Sequence, residues 1–214
     1  DDVAVLVTEF IDGLDVSQIV KRAGKLSVGN ACEIARQTAL ALDYVGAQGL
    51  VHRDIKPSNV MLGKGGEVKL LDLGLARLQL DADERIEMTA TGQAMGTADY
   101  VAPEQVNDSR LVDLRADIYA LGCTLFKMLS GDVPFPDTEY PTAFAKMTAH
   151  VSDAPPSLEK LVPEVPPELA KLVLRMMSKQ PADRPQTAKQ IAELLKKFCD
   201  GADLKQLLED VLAL

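Results

Sequence analysis

His52-Arg53-Asp54-Ile55-Lys56-Pro57-Ser58-Asn59 runs directly into Val60-Met61-Leu62, a turn Gly63-Lys64-Gly65-Gly66, the run Val68-Lys69-Leu70-Leu71, and then Asp72-Leu73-Gly74. Two short β-prone runs around a glycine-rich turn predict an antiparallel hairpin. The fold-back sets Asn59 and Asp72 together at its open end, with Asp54 and Lys56 on the adjoining loop. Two carboxylates, one amide and one ammonium therefore converge. Oxygen ligands without a thiolate suit a hard cation such as Mg²⁺, which takes one or two protein oxygens plus phosphates. A lysine beside them suits a phosphate oxygen.

Outward from the hairpin the pattern is mostly helical. Residues 3–10, VAVLVTEF, read as a buried strand that Asp12-Gly13 ends. A short helix is expected near 15–23. Ser27 is placed to cap a longer helix reaching about 47, with Ala31, Ile34, Ala35, Thr38, Leu42 and Val45 at helical spacing and Gly49 as the stop. Residues 75–103 show little periodicity and carry the acidic patch Asp81 to Glu84. Residues 116–130 are apolar on almost every face, the signature of a helix buried in a large core. Pro166-Pro167-Glu168 opens a further helix. Thr187 with Gln190 forms a capping box for a helix to about 198. Leu204 to Leu214 is amphipathic.

Composition narrows the function classes. The chain has 214 residues, 47% hydrophobic and 26% charged, a soluble globular balance. Its 23 basic against 32 acidic residues give a net charge of −9, which argues against a nucleic-acid partner. No apolar run approaches the roughly 20 residues a membrane span needs, and no leader opens the chain. Cys32, Cys123 and Cys199 lie far apart with no CxxC pair, so reduced thiols and a cytoplasmic location are expected, without zinc or disulfides. Cys32 and Cys123 read as core thiols; lone His150, near prolines, reads as a surface residue.

Three ordered motifs carry a resemblance. HRDIKPSN (52–59), DLG (72–74) and APE (102–104) are similar to the catalytic-loop, metal-binding and activation-segment motifs of eukaryotic-type protein kinases. Lys56 resembles the serine/threonine subclass; Gly96-Thr97-Ala98-Asp99-Tyr100 and Gln105 resemble bacterial members. The resemblance implies a mainly α (α+β) fold, a kinase large lobe with a hinge strand and a catalytic β-hairpin, acting with ATP and Mg²⁺ on protein Ser/Thr hydroxyls. It implies that Asp54 takes the substrate proton, that Lys56 neutralises phosphoryl charge and that Asn59 and Asp72 hold Mg²⁺. Thr97 would bridge toward Asp54. The opening strand would be the adenine hinge, with Thr8 as gatekeeper, the Glu9 and Ile11 backbone on the base, Asp15 near the ribose and Met61 under the ring. His52 would be a packed structural residue, Asp117 would anchor the catalytic loop, and Arg184 would pair with Glu104. Thr89 and Thr91 would be phosphosites facing the Arg53 cation.

Two departures qualify the resemblance. Leu73 stands where the family has phenylalanine. The glycine-rich loop, the strand lysine and the helix glutamate of a kinase small lobe are not found in these residues. The expectation is therefore a fragment: hinge and large lobe over 1–200, a helical extension over 201–214, and no turnover by this chain alone. Its parent could be membrane-anchored outside this window. An uncovered opening strand would favour self-association. The competing readings are a pseudokinase or docking module without catalysis, and a small-molecule phosphotransferase of related fold.

Overall fold

A computed structural model describes residues 8–71, 96, 98–107 and 112–214. In chain order these hold β1 (Gly13–Asp15), α1 (Val16–Ala23), α2 (Val28–Ala47), β2 (Val60–Gly63), β3 (Val68–Leu70), α3 (Pro103–Asn107), α4 (Leu114–Ser130), α5 (Ala143–Ser152), α6 (Leu158–Leu161), α7 (Pro167–Met176), α8 (Ala188–Leu195) and α9 (Leu204–Leu212). Among the described residues the architecture is mainly α with one small sheet, ordered β1-β2-β3 and antiparallel throughout.

The expected hairpin forms with Val60 opposite Leu70 and Leu62 opposite Val68. The strand expected at 3–10 does not extend into the described residues. Residues 8–12 are irregular, Thr8 and Glu9 are exposed and Phe10 is 88% exposed; residues 3–7 lie outside the described residues. Gly13, read as a breaker, instead starts β1 and pairs with Gly63. The reason is close backbone approach: a Cβ on Gly13 would stand 2.0 Å from the Leu62 carbonyl oxygen.

Side-chain caps set most helix starts, each satisfying an orphan N–H. Asp15 accepts from the Gln18 N–H at 2.9 Å, Ser27 from Asn30 at 3.3 Å, Thr187 from Gln190 at 3.1 Å and Asp203 from Gln206 at 2.9 Å. Asp113 opens α4 by accepting from the Arg115 N–H. The last helix of the capping-box region ends at Leu195 and tightens into a 3₁₀ turn over Lys196–Phe198.

The core is built around α4, whose Ile118, Tyr119, Leu121, Leu125, Phe126 and Met128 are all buried. Helix α2 packs on α4 and α8, and α7 lies against α4. Helix α9 packs on α1, α2 and β2, with Leu204, Leu208 and Val211 joining the same apolar cluster. Cys32 and Cys123 are buried in that core, and Cys199 is half-buried beside it.

His150 corrects the surface expectation. It is fully buried on α5, its Nδ1 shares a hydrogen bond with the Tyr119 hydroxyl at 2.8 Å, and its ring meets Phe135 edge to face at 4.8 Å. Lys179 closes the cluster, donating to the Ala149 and His150 carbonyls 5.0 Å from the Phe135 ring centroid. Burial first, then the Lys179 and Lys146 charges, push the imidazole down to about 3.

Candidate active site

The loop between α2 and β2 owes its shape to a residue far along the chain. Asp117, buried in the first turn of α4, accepts the His52 N–H at 2.9 Å and the Arg53 N–H at 2.8 Å. Burial pushes its carboxyl up to about 7, against the pull of those N–H groups and of the Arg53 cation. Between the two anchored residues the backbone is forced: Arg53 has φ of 66°, left-handed for a side-chain-bearing residue. Such a conformation costs about 1–3 kcal/mol and persists only where its surroundings over-determine it.

His52 is buried within this frame. Its Nε2 lies 2.8 Å from the Leu71 carbonyl, and its Nδ1 is 3.4 Å from the Asp54 N–H. A carbonyl can only accept, so both contacts are met by the tautomer with the proton on Nε2. The ring braces the loop against the end of β3.

The loop then brings three polar side chains together. Lys56 donates to Asp54 Oδ2 at 2.8 Å; Asn59 Nδ2 donates to the same oxygen at 3.0 Å and to the Asp54 carbonyl at 2.8 Å. Asp54 and Lys56 are each about a fifth exposed, so the carboxylate is oriented from within and open to one side. The Leu71 N–H bonds the Asn59 carbonyl at 2.8 Å, closing the open end of the hairpin. Asp72, Thr89, Thr91 and Thr97 lie outside the described residues.

Around the expected nucleotide side, Met61 is half-buried on β2, opposite Asp15 and Lys69. Asp15 holds α1 in place: besides its cap, its Oδ2 accepts from Gln18 Nε2 at 2.6 Å. Glu9 faces Lys69 Nζ at 3.2 Å, and Ile11 is half-buried.

The segment following the undescribed stretch is locked at three points. Arg184 is fully buried and forks onto both Glu104 oxygens at 2.6 and 2.8 Å. Its remaining N–H groups reach the Ser178, Arg115 and Lys179 carbonyls, and its guanidinium lies 4.8 Å from the Tyr119 ring centroid. Lys146 of α5, unforeseen in the sequence, is buried and bridges Asp99 and Asp137. Burial raises the Asp99 carboxyl despite that partner. The sequence signal was Lys146 sharing a helical face with Ala149 and His150. The third lock is Gln105: its Nε2 donates to the Arg53 carbonyl at 3.0 Å while its Oε1 accepts the Ala102 N–H at 3.0 Å.

The fold is of the protein kinase type, and the chain belongs to that family: the protein kinase domain family matches residues 1–196. Among its relatives is the serine/threonine-protein kinase PknB of Mycolicibacterium smegmatis, 36% identical over 207 residues, covering 96% of this chain and 32% of that protein. The kinase pkn3 of Myxococcus xanthus is 34% identical over 194 residues, covering 88% of this chain and 35% of its own length. The crystal structure of the Mycobacterium tuberculosis PknI kinase domain aligns with a TM-score of 0.62 at 28% identity, over 89% of this chain and 63% of that one. The chain thus spans about a third of these curated relatives. None of the described helices is long and apolar enough to cross a membrane.

Proposed function

We propose that this chain is the catalytic-loop lobe of a Ser/Thr protein kinase whose full-length form transfers the γ-phosphate of ATP to protein Ser or Thr hydroxyls. The observation that carries the reading is the Asp54 carboxylate, gripped by Lys56 and Asn59 on a loop hung from the core by Asp117. Asp54 accepts the hydroxyl proton as the substrate oxygen bonds to the γ-phosphorus and the bond from that phosphorus to the β,γ-bridging oxygen breaks, its electron pair leaving with ADP. Lys56, already beside that carboxylate, offsets charge on the phosphoryl oxygens. Catalysis of this kind is mostly positioning and charge stabilisation.

The residues fit a hard cation. Both donations from Asn59 Nδ2 go to Asp54, so the amide oxygen is the atom that would give a lone pair to a cation. Asp72, next in sequence to Leu71, would supply a second oxygen. Asn59 and Asp72 would thus hold Mg²⁺, which would supply charge neutralisation at the ATP phosphates. On this reading Thr8, Glu9, Ile11, Asp15 and Met61 border the nucleotide, Thr97 favours Ser/Thr substrates, and Thr89 or Thr91 takes a regulatory phosphate facing Arg53.

We also propose that these 214 residues alone, which hold no glycine-rich loop of the G-x-G-x-x-G type, do not turn over. Positioning of the phosphates contributes about 7–11 kcal/mol of a barrier reduction. The tests run in parallel. Asp54→Asn in the full-length protein should lower kcat by about 10²–10⁴ with its melting temperature unchanged; near-normal phosphate transfer would sink the assignment. Radiolabelled ATP with a protein substrate should show no transfer by the 214-residue chain.

A further inference from the structure

We propose that Gln105 is a positioning residue for Asp54, setting the orientation of the Arg53–Asp54 peptide from the segment that carries Glu104. The inference rests on Asp54 being the proton acceptor.

The argument begins with Arg53. Its left-handed φ of 66° would relax toward ordinary backbone if either flank were released. Its N–H is held by Asp117 and its carbonyl by Gln105, so the strained residue is gripped at both ends. Relaxation would swing the Arg53 carbonyl and, in the same peptide plane, the Asp54 N–H. That N–H rests on His52 Nδ1 at 3.4 Å, a longer contact than the 3.0 Å bond from Gln105 to the carbonyl. The Gln105 bond restrains the same peptide plane at its carbonyl, and Asp54 is the next residue along the chain.

Gln105 is itself rigidly mounted. Its Oε1 accepts the Ala102 N–H at 3.0 Å, which fixes which end of the amide faces the loop. Its neighbour Glu104 is locked into the buried Arg184 fork. Displacing the 102–107 segment would take Gln105 with it and free the peptide before Asp54. Seating of that segment is thus coupled to the aim of the carboxylate.

The two ends of the Gln105 amide can be separated by mutation. Gln105→Glu keeps an acceptor for Ala102 and replaces the donor to Arg53 with an oxygen that repels the carbonyl. Gln105→Met removes both bonds without adding charge. In the full-length kinase, Gln105→Glu should lower kcat at least tenfold, leave KM for ATP within twofold, and leave the melting temperature within a degree or two. Gln105→Met should lower kcat similarly, and amide exchange at Asp54 in the 214-residue chain should quicken in both. Asp54→Asn is run alongside. If Asp54→Asn is dead while both Gln105 variants keep kcat within twofold of wild type, the positioning role is overturned and the catalytic reading stands. If Asp54→Asn stays active, the catalytic reading falls and takes the inference with it. A fall in kcat matched by an equal rise in KM and a lower melting temperature would make Gln105 structural only.

Discussion

Arg184 shows how much one side chain can hold. It is buried with its Glu104 partner at 2.6 Å and three carbonyls on its other N–H groups. Truncating one member of a buried pair leaves the other uncompensated, at a cost of about 3–5 kcal/mol. Against a total of roughly 5–15 kcal/mol the loss is severe. Arg184→Ala should therefore shift the urea midpoint sharply downward. Arg184→Lys should recover little of it, because an ammonium cannot reproduce the planar fork; a wild-type midpoint in either would mean the pair is energetically idle. Two other buried groups act on pH dependence with opposite signs. His150 is depressed from 6.5 to about 3, so the unfolded chain binds its proton first and stability is lost as pH falls from 6.5 toward 3. Asp117 is raised from 3.8 to about 7, so its contribution is present below 3.8 and is lost as pH rises through 7. Between about 4 and 6.5 the two slopes oppose. His150→Gln should unmask the Asp117 slope, giving stability that climbs on acidification relative to wild type; superimposable stability–pH curves would contradict this. Residue chemistry was unevenly legible. The Asp54, Lys56 and Asn59 cluster could be read because its members are two to five positions apart on one loop. The burial of His150 and Lys146 could not, since it depends on Tyr119, Asp99 and Asp137, brought up by other elements.

Elements with local signals were readable, and those made by tertiary approach were not. Ser27, Thr187 and the Pro166-Pro167 pair announce helix starts through capping chemistry that involves only adjacent residues. The apolar character of 116–130 announced α4. By contrast β1 consists of Gly13-Leu14-Asp15, a triplet with no strand pattern, and exists because β2 offers it a ladder. The more β-prone residues just upstream include exposed Phe10. Helix α4 also carries the sharpest packing prediction. A Cβ on Gly122 would fall 2.9 Å from Met176 Cβ and 3.0 Å from Met177 Cγ. Alanine is the better helix former by about 1 kcal/mol. Overpacking costs about 1–3 kcal/mol, and Met176 Cβ is fixed to the α7 backbone and cannot swing aside. Gly122→Ala should therefore lower the melting temperature despite its favourable propensity; a rise would show that α4 and α7 separate freely.

At the scale of the whole molecule, the 204–212 helix behaves as part of the main core. Leu204, Leu208 and Val211 are each less than 10% exposed and meet α1, α2 and β2. Burying such side chains contributes about 1.5–3 kcal/mol apiece, an upper bound given a compact unfolded state. Removing residues 201–214 should destabilise the chain by several kcal/mol, visible as a lower and broader circular-dichroism melt; an unchanged melt would make the helix a dispensable appendage. The sequence located this helix through its amphipathic period but held no sign of where its apolar face would land. The loop anchored by Asp117 has one more consequence, in the logic of assembly. The residue being shaped and the residue shaping it are separated by 64 positions of chain, on opposite sides of the stretch between Asn107 and Val112. A protein severed in that stretch would have Arg53, Asp54 and Gln105 on one piece and Asp117 and Arg184 on the other. Neither piece could aim the carboxylate by itself, so the shape of the loop around Asp54 would appear only on their meeting, as the output of a two-input gate.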